Sequence, residues 1–342
     1  MVHDAATYPG KDWEHISSAE AGFDPEKLDQ AREWLDDEAG DTAYRVVIVR
    51  GGRIVAEWNR GLDRDQRLSM YSASKSVFSS VLGIAIDEGR ISSADARLTD
   101  YYPEAMDVPE GEGPKNGRYA FDKDRAITLR QLISNTSGYM KPGEEPGRVF
   151  HYQTYGMNVL VHAISKTYGN YDIGDAENSP DLRPLLDQRI GGPIGASFTI
   201  SRENFDLHAG ARIHIFGYAN WINATALDMA RLGWLWRNWG RWEHKRVIPE
   251  AWLREAVKTA PTLLANSPKE EWKYGLGFWT NDHGEHFPSL PRDVYAAQGA
   301  QRQQILVCPS RDLVLVQSPG VYDSNPDNET GLLKRVFEAD RS

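Results

Sequence analysis

Apolar residues first recur at helical spacing. Leu28, Ala31 and Leu35 follow Asp24-Pro25-Glu26, which offers an N-cap, a proline for the first helical position and an early acid. The period then changes. Tyr44-Arg45-Val46-Val47-Ile48-Val49-Arg50 is β-branched and reads as a strand, Gly51-Gly52 as a tight turn, and Arg53 to Trp58 as the returning partner. An antiparallel hairpin this early argues against a Rossmann or TIM architecture. Residues 72–89, mostly apolar with small polar insertions, predict a buried helix. The middle of the chain, about 90–210, is rich in Pro, Gly and Asp with short helical patches, and Val108 to Gly117 is loop. A further helix is expected from 223, with Asn223 as its cap and Ala226, Met229, Ala230, Leu232 and Gly233 at helical spacing. Strands return at Tyr274–Trp279, Gln303–Val307 and Leu313–Val316, and a final helix is expected from about Asn328. Strands at both ends around a helical middle imply an α+β fold. Its antiparallel sheet domain would comprise 20–88 and 215–342, its helical, loop-rich lobe 89–214, and its active site the boundary between them.

Composition narrows the function classes. The 342 residues carry 39 basic and 49 acidic side chains, a formal net charge of −10, with 40% apolar and 26% charged residues. That is globular composition and excludes disorder, collagen and coiled coil. An acidic chain lacks the basic face of a nucleic-acid binder. One cysteine, Cys308, excludes an intramolecular disulfide framework and a multi-cysteine zinc site. Met1 to Ala6 has neither a basic nor an apolar leader region, and the run Val77 to Ile86 is too short to span a bilayer. The expectation is a soluble cytoplasmic protein. Oligomeric state is not legible.

Ser72-Ala73-Ser74-Lys75 carries the chemistry. Positions i and i+3 share a helix face, so the Ser72 hydroxyl and the Lys75 amine can meet. A serine becomes a nucleophile when a base takes its proton, and a lysine in a dry site can be that base. The bland alternative is a capping serine with a solvated lysine one turn on. Val77, Phe78, Val81, Leu82, Ile84 and Ala85 follow, and a lysine entering so apolar a helix is poorly explained as solvated. No Gly-x-Ser-x-Gly elbow, phosphate loop or dinucleotide fingerprint occurs.

With this motif the chain resembles the serine β-lactamase and penicillin-binding-protein superfamily, over about residues 20 to 320. The resembling branches are the class C-like serine hydrolases: family VIII carboxylesterases, D-aminopeptidases and 6-aminohexanoate-dimer hydrolases. Four further segments carry the likeness: Ile127 to Gly138, Pro146-Gly147-Arg148-Val149-Phe150-His151-Tyr152, Ala224 to Gly233, and Arg246-Val247-Ile248-Pro249. The resemblance implies a β-lactamase-like fold with no metal or organic cofactor. It implies Ser72 as acylated nucleophile, Lys75 as general base and Tyr152 as the phenol that protonates the leaving group. A nearby cationic Lys75 would lower the Tyr152 pKa from about 10.

Two motifs depart from the family pattern. Tyr152-Gln153-Thr154 has Thr154 where asparagine is usual, and Ala297-Gln298-Gly299 lacks the lysine or histidine of the third motif. Both departures argue against efficient β-lactam hydrolysis. Gln298 and Gly299 remain substrate-binding candidates beside Thr154, and the backbone N–H groups of Ser72 and Ala300 would form the oxyanion hole. Trp221 and Arg212 are candidates for the pocket, Arg212 as partner of a substrate carboxylate. His283-Gly284-Glu285-His286 reads as a solvated loop before a zinc site. The expected reaction is hydrolysis of a small or linear ester or amide through a Ser72 acyl-enzyme. The alternatives are transfer of the same acyl group to an amine or alcohol, and a degenerate penicillin-binding-like protein without turnover.

Overall fold

The computed structural model describes residues 7–321 and 331–341. Helix α1 (Pro25–Ala39) starts as its sequence predicts: the Asp24 carboxylate accepts from the N–H groups of Glu26 and Lys27, and Pro25 takes the first position. Strands β1 (Tyr44–Arg50) and β2 (Arg53–Arg60) form the expected hairpin. Gly51 and Gly52 have φ of 60° and 78°, the left-handed pair that a two-residue hairpin turn requires. A short strand β3 (Leu68–Ser69) leads into helix α2 (Ser74–Asp87). The lobe contributes helix α3 (Tyr155–Thr167) and strand β4 (Thr199–Asn204). Then follow β5 (Tyr218–Ala224), α4 (Ala226–Arg237), β6 (Trp279–Thr280), β7 (Tyr295–Gly299), β8 (Gln303–Cys308), β9 (Leu313–Gln317) and α5 (Gly331–Ala339).

The main sheet is antiparallel and six-stranded, in the order β2-β1-β9-β8-β7-β6. Early β1 pairs with late β9, Val46 opposite Gln317 and Arg50 opposite Leu313, so the two chain ends share one sheet. Both faces are buried, and alternation sorts their residues. Val47, Val49, Ile305, Val307, Val314 and Val316 join the core under α2 and α4. Val46, Ile48, Leu306, Leu313 and Leu315 join the core under α1 and α5. Helix α4 lies directly on the sheet at Gly233, where a Cβ would meet Val314 at 2.4 Å. A second sheet, β3-β5-β4, ties the approach to α2 to the lobe.

Two expectations change, and a third lies partly outside the described residues. The helix expected from Asn223 begins at Ala226, capped by the Thr225 side chain, which accepts from the Asp228 N–H; Asn223 belongs to β5. Tyr274–Trp279 is not one strand: only Trp279 belongs to a strand, β6. Its glycines fold it into a turn closed by Gly275 N–H to the Phe278 carbonyl at 2.9 Å, with only Tyr274 and Trp279 bridged. The closing helix is described from Gly331, and Asn328 lies outside the described residues. No helix among the described residues is long and apolar enough to cross a membrane.

Candidate active site

Ser72 sits in a sharp, pinned turn between β3 and α2. Tyr71 has φ 45°, a left-handed backbone that is strained for a side chain of its size. Its N–H donates to Ser69 Oγ at 3.1 Å. Ser72 follows in one 3-10 turn, Tyr71–Ala73, that runs directly into α2. The second sheet holds this turn: Met70 N–H donates to the Ile222 carbonyl at 2.8 Å, and Ile222 N–H to Ser74 Oγ at 3.1 Å. The main sheet presses on the other side. A Cβ on Gly299, at the end of β7, would lie 2.2 Å from the Met70 carbonyl oxygen and 3.0 Å from the backbone nitrogens of Ser72 and Ala73. Only glycine permits that approach. The Gly275–Phe278 turn closes the third side, where Ser76 Oγ donates to the Gly277 carbonyl at 2.7 Å.

One helical turn on, Lys75 Nζ donates to Ser72 Oγ at 2.6 Å. Lys75 is 1% exposed. Its Nζ lies 4.7 Å from the centre of the Tyr152 ring and 5.5 Å from that of Trp221. Among the described residues no carboxylate pairs with it, and burial pulls its pKa down to about 7. Near neutral pH a large fraction of Lys75 is therefore an unprotonated amine against a serine hydroxyl.

Tyr152 is aimed by Asn135. The Asn135 carbonyl accepts from His151 N–H at 2.9 Å, and its side-chain oxygen accepts from Gln153 N–H at 3.0 Å. The Tyr152 ring is stacked on Trp279 at 5.6 Å and meets Tyr274 edge-on at 5.8 Å. Its hydroxyl is near enough to Ser72 for that side chain to act on its pKa. The expected lowering of its pKa does not occur. Burial raises it to about 12, and the Ser72 side chain offsets this only in part. A lysine that is itself largely neutral supplies too little charge to reverse desolvation, so Tyr152 is a protonated phenol.

The Beta-lactamase family matches residues 36–318, most of the chain. The chain belongs to the β-lactamase family. The 6-aminohexanoate-dimer hydrolase of Paenarthrobacter ureafaciens is 25% identical over 310 residues, 83% of this chain and 73% of that protein. A crystal structure described as a putative β-lactamase from Bacteroides dorei superposes with TM-score 0.68 at 17% identity, covering 94% of this chain and 100% of that one. A family VIII carboxylesterase structure superposes with TM-score 0.66 at 16% identity, covering 92% and 97%. The chain is thus a serine hydrolase of the β-lactamase family, with the β-lactamase-like fold.

Within that family frame the remaining candidates fall into two groups. Trp221 borders Lys75, its Nε1 donating to Glu203 at 2.8 Å. Gly299 touches the Ser72 turn, and Ala300 follows it at the mouth of the β7–β8 hairpin, whose loop residues Gln301 and Arg302 are both left-handed at φ 58° and 53°. Gln298 Oε1 accepts from His286 Nε2 at 2.7 Å. Thr154 is the N-cap residue of α3 and lines a cavity beside Tyr152, but its side chain makes no capping bond. Arg212 stands apart. Its guanidinium is paired with Asp107 at 2.6 Å and with Glu112, so it is not offered to a substrate carboxylate.

Sequence reasoning missed the support of the site. His286 is not a solvated loop residue: its ring is stacked 4.9 Å from Trp279, and burial pushes its pKa down to about 4. The chain of rings Tyr152, Trp279, His286 and then Gln298 links the phenol to β7. The crowding of aromatics and glycines in 274–279 was the available signal. Among the described residues no group of three His, Cys, Asp or Glu is arranged to hold a metal.

Proposed function

We propose that the protein hydrolyses a small or linear ester or amide through an acyl-enzyme on Ser72. The observation that carries this reading is the 2.6 Å contact between Ser72 Oγ and a buried Lys75 Nζ whose pKa is about 7. Neutral Lys75 takes the Ser72 proton as Oγ bonds to the substrate carbonyl carbon. The carbonyl oxygen becomes an oxyanion, held by the N–H groups of Ser72 and Ala300. The intermediate collapses and the bond to the leaving group breaks. The Tyr152 phenol gives that group a proton and regains one from the Lys75 ammonium. Water attacks the acyl-enzyme with Lys75 again as base, releasing the acid and restoring Ser72. A phenol with pKa about 12 suits an acid and relay and does not suit the primary base, which assigns that role to Lys75. Placing the catalytic groups at the boundary of a sheet domain (20–88 and 215–342) and a lobe (89–214) belongs to the same proposal.

The 6-aminohexanoate-dimer hydrolase and carboxylesterase relatives support amide or ester substrates. Ala297 and Thr154, where β-lactam-binding members carry a cation and an asparagine, support poor β-lactamase activity. The test is intact-mass spectrometry after a fluorophosphonate, with p-nitrophenyl butyrate turnover, on wild type and Ser72→Ala. The expected result is one adduct on wild type only and turnover lost in the variant. Equal labelling of both, or turnover surviving the substitution, removes Ser72 from the role. Neither labelling nor turnover in wild type means a non-hydrolytic relative.

A further inference from the structure

We propose that the cavity beside Tyr152 is a subsite for a carboxylate carried by the substrate; this deepens the acyl-enzyme reading and rests on it. The cavity is about 340 Å³ and its wall includes Lys115, Arg118, Lys141, Gln153, Thr154 and Phe205. His151, Gln153 and Thr154, the chain neighbours of Tyr152, line this space, so the segment that carries the phenol also forms the cavity wall.

Two cations without an ion-pair partner among the described residues, Lys115 and Arg118, line it in a protein whose net charge is −10, with Lys141, which stands against Glu144, as a third basic residue of the wall. Arg118 is the central one. Its Nε donates to the Met140 carbonyl at 2.6 Å, which fixes the plane of the guanidinium. Among the described residues no carboxylate lies within ion-pair distance of Arg118 or of Lys115. A fixed guanidinium with free terminal nitrogens is the geometry for a two-point carboxylate contact. Lys141 backs the wall. It is 3% exposed, and its Nζ has no hydrogen-bond acceptor, although Glu144 Oε2 stands 3.4 Å away. Of the acids nearby, Glu144 bonds His151 through Oε1 and stands against Lys141 through Oε2, from where it also acts on Arg118, and Asp124 is held by Lys123. Helix α3 starts in the same wall without a side-chain cap on its first N–H groups, and so adds the positive end of its dipole. Tyr155 and Phe205 meet edge-on at 5.6 Å and give the substrate's carbon stem an apolar surface. The contrast with Arg212, which is neutralised by two carboxylates, separates a structural cation from an available one.

The test compares acids with their own methyl esters, so that only charge differs. One pair carries the carboxylate on the acyl side, mono-p-nitrophenyl glutarate and its methyl ester. The other carries it on the leaving group, 4-butyryloxybenzoate and its methyl ester. In wild type at least one acid is expected to exceed its ester in kcat/KM by about tenfold, the scale of one charge-assisted contact. Arg118→Gln should remove most of that ratio, Arg118→Lys should retain part of it, and 0.5 M salt should reduce it. Should Arg118→Gln fail to fold, the exposed Lys115→Gln is expected to lower the ratio by a smaller factor. Acids no better than esters in wild type, or a ratio that survives both substitutions, would overturn the subsite. The fluorophosphonate adduct on Ser72 and turnover of the methyl esters separate the two readings. If both persist while the ratio is absent, only the subsite is wrong. If both are missing, the acyl-enzyme reading fails and the subsite falls with it.

Discussion

Lys75 and Lys141 are both buried and both close to the Tyr152 segment, and they differ in what they face. Lys75 faces a serine hydroxyl and two aromatic rings, with no carboxylate partner, and its pKa falls to about 7. Lys141 is also desolvated and its pKa falls to about 8, with Glu144 at 3.4 Å opposing the fall. Burial disfavours the charge on both; neighbouring charges decide how much of it survives. Both are eased towards the neutral amine, and Lys75 is the one that has a hydroxyl to take a proton from. Desolvation is the leading cause at both; at Lys141 the Glu144 carboxylate opposes it while Arg118 and Lys115 add to it, and what separates the two lysines is that one contacts a serine hydroxyl and the other a carboxylate.

The sharpest way to break this comparison is Lys75→Met. Loss of the base should lower kcat/KM on p-nitrophenyl butyrate by about 10³-fold or more. The same substitution should stabilise the fold at low pH. Lys75 titrates near 10.5 when unfolded and near 7 when folded, so between these values the unfolded chain holds the extra proton and wild-type stability rises with pH. The penalty is fully present below about pH 7. Thermal or denaturant unfolding at pH 6 should show Lys75→Met more stable than wild type by roughly 1–3 kcal/mol, with the gap closing towards pH 10. A variant less stable than wild type at pH 6 would mean that Lys75 is not a strained group.

Gly299→Ala tests the frame around Lys75. The added methyl would sit 2.2 Å from the Met70 carbonyl oxygen, so the β7 end and the Ser72 turn must separate. Donors placed for an oxyanion lose their value with small displacements, and a fall of about 10²-fold in kcat is expected. Labelling of Ser72 by a fluorophosphonate should slow in parallel. Unchanged rates would show that the oxyanion donors lie elsewhere.

The third effect is about tenfold per pH unit. Because neutral Lys75 is the base, log kcat/KM should climb with unit slope below about pH 7 and level above it. Tyr152 acts protonated and loses its proton only near 12, so no descending limb is expected between pH 7 and 10. A bell centred near neutrality would instead require a second group titrating in that range.

The parts of this architecture legible in the sequence were those set by local chemistry. The Asp24 cap, the Gly51-Gly52 hairpin and the Ser72/Lys75 spacing each follow from a few adjacent residues. What was not legible depends on distant partners. Asn223 is a good capping residue, yet pairing with Thr199 across β5 and β4 claims it for a strand. Tyr274–Trp279 alternates like a strand, yet Gly275 and Gly277 bend it against Ala256, Lys258 and α2. His286 looks solvated beside its polar neighbours until Trp279 stacks on it. A lowered Tyr152 pKa requires a charged Lys75, whereas Lys75 serves as a base only when neutral, and burial then raises the phenol instead.

Arg212→Gln carries the smallest expected effect, and it sharpens the comparison from the other side. On sequence alone Arg212 and Arg118 are interchangeable as partners for an anionic substrate, since both are arginines in the loop-rich lobe. Surroundings separate them. Arg212 joins Asp107 and Glu112 at the surface, a contact between groups already well solvated, whereas Arg118 faces a cavity with no acid of its own. A surface network of that kind contributes little, and its field is screened before it reaches Ser72. Activity on p-nitrophenyl butyrate and the acid-to-ester ratio of kcat/KM should therefore both stay within about twofold of wild type in Arg212→Gln. A selective loss of the acid would mean that the two surface carboxylates release Arg212 when substrate binds. The number of cations in the lobe would then matter less than which of them can exchange its partner.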